Sequence, residues 1–110
     1  MIYIASPYSH PDPVMRDHRY QLVERYAAEC IRKGECVFSP IAHSHNMAVR
    51  YDLPKEFEFW LELDFEYLKK CDELRVLMID GWNESIGVYR EREFASNNHI
   101  PINFVDYDFE

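Results

Sequence analysis

The carboxylate of Asp64 does not lie on the solvent-exposed face of its predicted helix. Residues 57–68 have helical periodicity, and apolar side chains stand three, four or seven residues from Asp64, namely Phe57, Trp60, Leu61 and Leu68. These spacings place Asp64 on the apolar stripe of a helix, where a carboxylate is costly to bury unless it is paired or lies at a cleft. The alternative is a solvated Asp64 at the edge of a wide apolar arc, since acids are rarely buried.

A second acid, Glu91, occupies a comparable position on a later helix. It shares a face with Gly87 and Ala95, small residues one turn to either side that would let a ligand approach closely. Two carboxylates facing one low-dielectric cleft can act as nucleophile and acid in glycosyl chemistry. The alternative is a half-exposed acid beside Arg90 and Arg92, because glutamate is usually exposed and carboxylate pairs also occur for structural reasons.

The elements that must position these acids alternate along the chain. Short apolar runs predict strands at residues 2–5, 36–38, 73–79 and 101–105. Helical periodicity predicts helices from about residue 14 to 33, from about 53 to 70 and from 85 to about 98, whereas 41–52 is predicted to be irregular. This order predicts one domain, 1–110, with an α/β fold: a three-layer, doubly wound, mostly parallel sheet of four to five strands, flavodoxin-like or Rossmann-like, with helices on both faces.

The loops of this predicted sheet are unequal at its two ends. The loops after the strands, 6–13, 39–52 and 80–85, are long and rich in polar residues and proline, whereas the opposite loops are minimal. Ligands of open α/β sheets bind at the carboxyl ends of the strands. The sequence therefore predicts that a small-molecule site lies among these three loops.

Composition narrows the class of protein further. The chain has 110 residues, 47% of them apolar, and a formal net charge of −8. This apolar fraction argues against disorder, and the acidic balance argues against binding of duplex nucleic acid or an anionic membrane surface. No apolar run is long enough to span a bilayer, no signal peptide is evident, and three cysteines do not suit a disulfide framework. We therefore expect a soluble, cytoplasmic protein.

Taken together, these motifs resemble the nucleoside 2-deoxyribosyltransferase superfamily, which includes the 2′-deoxynucleoside 5′-monophosphate N-glycosidases. The resemblance rests on an Asp before the third strand, an Asp opening that strand and a following Ser-x-Gly-x-x-x-Glu-x-x-x-Ala element, here Asp64, Asp72, Ser85, Gly87, Glu91 and Ala95. Residues 2–9 resemble the first strand and loop of the family, with Tyr3 at the active-site tyrosine. Residues 39–45 and 80–85 look most like an uncharacterised bacterial and phage branch.

The resemblance implies a mechanism and a quaternary structure. Glu91 would attack C1′ of a 2-deoxyribosyl group and form a glycosyl-enzyme ester. Asp64 would orient Glu91 or the sugar, or protonate the departing base, and Tyr3 would hydrogen-bond the nucleophile. Water or a second base would then accept the sugar without any cofactor. The family also implies a homo-oligomer, a dimer or higher. The alternative function is a non-catalytic module that binds or senses a nucleotide on the same fold.

The resemblance also implies a preference at the 5′ end of the substrate. Transferases acting on free nucleosides tend to carry Asp where this chain has Ser85, whereas the monophosphate glycosidases carry Ser. A serine hydroxyl at a helix N-terminus can donate to a phosphate, so a 5′-monophosphate is the predicted substrate. Because the net charge is negative, a local cation must help, and the candidates are Arg16, Arg90 and His10.

Further candidates for substrate binding lie in the same loops. They are Ser6, Tyr8, His43, His45, Asn46, Trp82, Ser85 and Gly87. The imidazoles and Asn46 suit hydrogen bonds to a base edge, Tyr8 and Trp82 suit stacking on it, and Trp60 is predicted to belong to the core. His43 and His45 would face one side of an extended chain, which leaves a metal-dependent hydrolase as a weaker alternative. The tail 106–110 is predicted either to fray or to reach a neighbouring subunit.

Overall fold

The four strands form one sheet in which every pair is parallel. A computed structural model describes all residues, 1–110. Its strands are β1 (Ile2–Ala5), β2 (Val37–Phe38), β3 (Glu73–Leu77) and β4 (Ile102–Val105), in the order β2-β1-β3-β4. Its helices are α1 (Pro13–Arg32), α2 (Pro40–Arg50), α3 (Phe57–Leu68) and α4 (Ile86–Asn97), and a 3₁₀ turn spans Trp82–Glu84. The predicted α/β class is confirmed.

The two faces of the sheet are covered by different helices. One core cluster joins Tyr3, Leu74 and Val76 of the sheet to side chains of α3 and α4. The other joins Ile4 and Leu77 to side chains of α1. Alternate residues of a strand point to opposite faces, so the apolar runs of β1 and β3 supply both clusters. The result is the three-layer arrangement that the alternation of elements predicts.

The strand order places a crevice between β1 and β3. The chain leaves β1 outward to β2 on one side and returns to β3 on the other. Connections therefore diverge at the carboxyl ends of β1 and β3, which lie side by side with Ala5 opposite Val76. In open parallel sheets this divergence leaves room for a ligand. The helix N-termini that follow the two strands border the same crevice.

The largest difference from prediction is helix α2, which replaces the irregular segment expected at 41–52. Ser39 begins it by accepting a hydrogen bond from the Ala42 N–H at 3.1 Å, and Pro40 stands at the first helical position. Its buried face contains His45 and Ala48. The prediction rested on the polar residues of this segment and passed over two helix signals in the sequence, the Ser39-Pro40 start and the recurrence of apolar residues on one helical face.

Two chain segments also differ from their predicted positions. The helix expected from Leu53–Pro54 begins only at Phe57, and the preceding chain is held by a 2.6 Å hydrogen bond from Trp60 Nε1 to the Pro54 carbonyl. The tail, predicted to fray or to reach another subunit, packs on its own α1. There the Arg25 guanidinium donates to the Phe109 carbonyl at 2.7 Å, and Tyr107 contacts the second core cluster. None of the helices is both long and apolar enough to cross a membrane.

Candidate functional site

A cavity of about 330 Å³ opens at the predicted end of the sheet. Its walls come from the loop after β1, from α1, α2 and α3, and from the start of α4. Seven of the residues predicted for the site line it, namely Ser6, Tyr8, His45, Asp64, Ser85, Gly87 and Glu91. Loop asymmetry and helical spacing were therefore sufficient to locate the cavity and its acids.

Glu91 lies at the buried end of this cavity. Helix α4 carries it, and only 5% of the residue is exposed. The hydroxyl of Tyr3, which is fully buried on β1, donates a hydrogen bond to Glu91 Oε2. Tyr3 does not itself line the cavity, so it is a positioning residue behind the carboxylate. One oxygen of Glu91 is thereby fixed, and the other is available to the cavity.

The electrostatics of Glu91 and Asp64 are those of an acid–base pair. Burial, and secondarily the charge of Asp64, raises the pKa of Glu91 to about 8, while the Tyr3 hydrogen bond opposes this shift. Burial raises the pKa of half-buried Asp64 to about 7. Burial followed by the charge of Glu91 raises the pKa of Tyr3 well above its usual value, so its proton stays on the phenol. Both carboxyl groups therefore titrate near neutral pH, and Glu91 holds its proton more tightly than Asp64. The form with Glu91 ionised and Asp64 protonated, in which one group is nucleophile and the other acid, is the less populated of the two one-proton forms.

Replacing Tyr3 with phenylalanine removes one buried donor without altering the shape of the core. We expect the pKa of Glu91 to rise further, since the Tyr3 hydroxyl is the group that lowers it. The free energy of unfolding should fall by about 1 kcal/mol, because a buried acceptor loses its partner. Carboxyl ¹³C NMR titration measures the first effect and urea unfolding the second. A Glu91 pKa that stays constant or falls would show that the contact does not stabilise the carboxylate.

Two cations line the cavity, and the sequence analysis missed both: Lys55, which pairs with Asp52 at 3.5 Å, and Arg19. Its Nη1 donates to the Ser9 carbonyl at 2.9 Å, and its Nε is buried without a partner. The guanidinium lies against Gly81, whose φ is +92°, and a Cβ at Gly81 would stand only 2.6 Å from Arg19 Nη2. Glycine is thus needed there both for its backbone conformation and for the space that Arg19 occupies. The guanidinium therefore reaches the cavity with its charge unpaired by any carboxylate.

The three cations predicted for this role lie elsewhere. Arg16 donates to the His10 carbonyl, and both border a shallow depression but do not line the cavity itself. This depression adjoins the cavity at Ser9, Lys55 and Phe57. Arg90 is exposed and pairs with Glu93 at 3.6 Å. The signal that could have identified Arg19 is its spacing, because it precedes buried Val23 of α1 by one helical turn. An arginine on the buried face of a helix is a candidate site residue for the same reason as an acid in such a position.

A hydrogen-bonded group of side chains borders the cavity at α2. The Tyr8 hydroxyl lies 2.8 Å from Nδ1 of His45, and Nε2 of His45 lies 3.4 Å from Oδ1 of Asp17. The His45 ring stacks on Tyr20 at 4.3 Å between centroids and is 6% exposed. The carboxylate of Asp17 and the ring of Tyr20 both come from α1, three residues apart. Packing of α1 against α2 therefore orients this imidazole.

The structure corrects the prediction for His43, Asn46 and Trp82, none of which lines the cavity. Successive residues of a helix are rotated by about 100°, so His43 points away from His45. It lies instead 5.5 Å from the Phe38 ring, and the two imidazoles do not converge on one metal position as an extended chain would allow. Asn46 is exposed and donates to the Tyr20 hydroxyl at 3.3 Å. In the whole chain no three His, Cys, Asp or Glu side chains are grouped to hold a metal ion.

The two tryptophans exchange their predicted places. Trp82, predicted to stack on a ligand, packs against the first core cluster with its ring 5.5 Å from Phe104. Trp60, predicted for the core, lines the cavity together with Phe57 and Leu61 of the same helix. These side chains form an apolar wall that suits a flat ring. The exchange arises because α3 begins at Phe57 and turns its first apolar residues toward the crevice.

A comparison with known proteins identifies the family. The model of a domain of unknown function, DUF1937, matches residues 1–106. Since this match covers nearly the whole chain, the chain belongs to the DUF1937 family. No curated protein sequence matches it. Its function therefore has to be argued from the chemistry of the cavity.

Proposed function

We propose that this DUF1937 domain cleaves or transfers the N-glycosidic bond of a 2′-deoxynucleoside or its 5′-monophosphate. The observation that carries the proposal is the buried carboxylate of Glu91, which accepts a hydrogen bond from Tyr3 and faces a cavity that also contains Asp64. A carboxylate held in this way suits a covalent nucleophile, and a nearby carboxyl group with a raised pKa suits an acid. The resemblance to deoxyribosyltransferases assigns the same two residues to these roles.

The first step would transfer the sugar to the protein. An ionised oxygen of Glu91 attacks C1′, and the bond from C1′ to the base nitrogen breaks with its electron pair going to the base. Asp64 supplies the proton that makes the base a neutral leaving group. Tyr3 keeps its own proton and holds the other Glu91 oxygen in place. A glycosyl ester of Glu91 and a free base result.

The second step would release the sugar. Water or a second base attacks C1′, and the ester bond breaks with its electron pair returning to Glu91. Both steps pass through a cationic, oxocarbenium-like transition state. Buried Glu91 and half-buried Asp64 stabilise positive charge more strongly than carboxyl groups in bulk solvent. This supports a reaction at a sugar carbon that develops positive charge.

The remaining walls of the cavity suit the two ends of a nucleotide. Trp60 and Phe57 offer an apolar surface for the base. Ser85 begins α4 by accepting from the Val88 N–H at 3.2 Å, so its own hydroxyl proton stays available to a ligand oxygen. Arg19 adds a positive charge, which suits a 5′-phosphate. We therefore favour the monophosphate over the free nucleoside.

The decisive experiment is incubation with a panel of deoxynucleosides and their 5′-monophosphates, followed by chromatography for free base. We expect release from at least one member, with the Glu91→Gln protein as the inactive control. A panel that includes modified bases and yields no free base would contradict the proposal. Binding of a nucleotide without release would instead support a sensing module on this fold.

Replacing Arg19 with glutamine tests the substrate preference. We expect kcat/KM for the monophosphate to fall about 10- to 100-fold, since a charge-assisted hydrogen bond contributes about 1.5–3 kcal/mol. The free nucleoside should lose little. Arg90→Gln is the matched control, because Arg90 is exposed and pairs with Glu93 on the surface. Equal losses on both substrates would show that Arg19 supports the fold and not the phosphate.

A further inference from the structure

We propose that Tyr8, His45 and Asp17 form a proton relay that serves the second half-reaction. The inference rests on the proposed function, and it assigns to these side chains the proton that the attacking water must lose. Tyr8 and His45 line the cavity, whereas Asp17 is carried by α1 outside it. The three residues connect the cavity to the protein surface, and none of them is needed by the pair of Glu91 and Asp64.

The contacts run in one direction, from the cavity to solvent. The Tyr8 hydroxyl lies 2.8 Å from His45 Nδ1, and His45 Nε2 lies 3.4 Å from Asp17 Oδ1. The His45 side chain is 5% exposed, whereas that of Asp17 is 53% exposed. A buried imidazole with a different partner at each nitrogen can accept a proton at one side while a carboxylate balances its charge at the other.

The hydrogen positions follow from what Asp17 can do. The negative charge of Asp17, 3.4 Å from Nε2, favours the neutral tautomer of His45 that carries its proton on Nε2. Nδ1 is then an acceptor, and the Tyr8 hydroxyl must donate to it. The proton of Tyr8 is thereby directed away from a ligand, the Arg16 side chain lies close enough to donate to one lone pair of its oxygen, and the other lone pair is left for the cavity. Tyr8 therefore meets a bound molecule as a hydrogen-bond acceptor.

Packing holds the relay in this arrangement. The His45 ring stacks face to face on Tyr20, with 18° between the ring planes, and meets the edge of Tyr8 at 5.5 Å. The hydroxyl of Tyr20 donates to Glu24 at 2.6 Å, so it takes no part in the chain of hydrogen bonds. Tyr20 therefore fixes the imidazole plane without competing for its nitrogens. The imidazole of His45 is therefore held in one orientation, unlike that of an exposed histidine.

The chemistry of the second half-reaction suits an acceptor of this kind. In the first step Asp64 gives up a proton to the leaving base; when a second base attacks, that step is reversed and the proton returns to Asp64. The relay serves the attack of water, whose oxygen bonds to C1′ while its proton goes to the Tyr8 oxygen and the Tyr8 proton goes to His45 Nδ1. The ester bond to Glu91 breaks, and its electrons return to the carboxylate. Burial raises the pKa of Tyr8, so the coupled transfer avoids a free tyrosinate.

Pre-steady-state kinetics separate this role from a structural one. In Tyr8→Phe and His45→Gln proteins we expect the initial burst of free base to stay near the wild-type rate, while steady-state turnover falls about 100-fold or more. Intact-mass spectrometry should show the glycosyl-protein adduct accumulating. Azide, a nucleophile with no proton to lose, should restore turnover in both variants. Tyr20→Phe is the control: it keeps the stacked ring and should keep the wild-type ratio of burst to turnover.

Each outcome decides between the two proposals. Base release by the wild type, with burst and turnover falling together in Tyr8→Phe or with no rescue by azide, would overturn the relay and leave the proposed function standing. Unchanged turnover in both relay variants would overturn it equally. A wild-type protein that releases no base from any substrate would instead overturn the proposed function, and the relay with it.

Discussion

A Glu91→Gln protein is expected to lose base release almost completely, with kcat at least about 10³-fold below wild type. Glutamine keeps the shape of the side chain and can still accept the hydrogen bond from Tyr3. It cannot form the ester with C1′. The loss therefore measures the nucleophile and not the fold of α4. Rates are measured by chromatography of free base with the best substrate of the panel.

The same substitution should make the protein more stable at alkaline pH. Burial raises the pKa of Glu91 from 4.5 to about 8, so between these values the folded state binds more protons than the unfolded state. The free energy of unfolding therefore falls as the pH rises through this range. Glutamine removes this dependence. We expect the variant to gain on the order of 5 kcal/mol at pH 9 and little at pH 4.

Urea unfolding at several pH values tests whether the buried carboxyl group of Glu91 lowers the free energy of unfolding as the pH rises. Glu93→Gln is the matched control, because Glu93 lies two residues further along α4 with its side chain 50% exposed. It should change neither turnover nor the pH dependence of stability. A Glu91→Gln protein that retains more than a tenth of the wild-type turnover would exclude Glu91 as the nucleophile. An unchanged pH dependence of unfolding would show that its carboxyl group is not buried.

The second large effect is expected at Asp64. Wild-type kcat/KM should be bell-shaped against pH, because reaction needs one proton on the carboxyl pair, with limbs near the pKa values of about 7 and about 8. Asp64→Asn should reduce kcat about 10²- to 10⁴-fold by removing the acid. The alkaline limb should disappear. The single remaining limb should report Glu91 alone, at a pKa below about 8, because the charge of Asp64 adds to the effect of burial on the pKa of Glu91.

Substrates with better leaving groups sharpen this test. A base that departs without protonation should recover much of its rate in Asp64→Asn but none in Glu91→Gln. Glu66→Gln on the same helix is the control, since Glu66 is exposed and pairs with Lys69. An alkaline limb that persists in Asp64→Asn would assign the acid to another group.

Much of the fold was predictable because it depends on local spacing. The strands and the helices α1, α3 and α4 follow from apolar runs and helical periods, and the structure adds the caps Asp12 and Ser85. The acids of the cavity were predictable for the same reason, since a carboxylate on an apolar stripe is recognisable from neighbours three and four residues away. Parallel pairing then brings the polar loops to one end of the sheet without further information.

The remainder depended on contacts between distant residues. Helix α2 was predicted to be an irregular segment because His45 is a polar residue, and its burial depends on contacts with the distant residues Tyr8 and Tyr20. Trp60 and Trp82 are the same residue type. The neighbouring helices and strands place Trp60 at the cavity and Trp82 against the core. Arg19 reaches the cavity because a glycine 62 positions later in the chain leaves space for its guanidinium. The residues near Arg19 in the sequence give no indication of the space beside this glycine.

The chemistry shows the same division. Residue type and helical register alone single out Asp64 and Glu91 among twenty acids. Their raised pKa values, which bring both titrations near neutral pH, exist only after burial has removed water from the two carboxyl groups. Desolvation is a property of the packed sheet and helices, because it is set by every chain segment that surrounds the group. Residue spacing identifies the acids that can belong to the site, whereas tertiary packing sets the pKa values of their carboxyl groups.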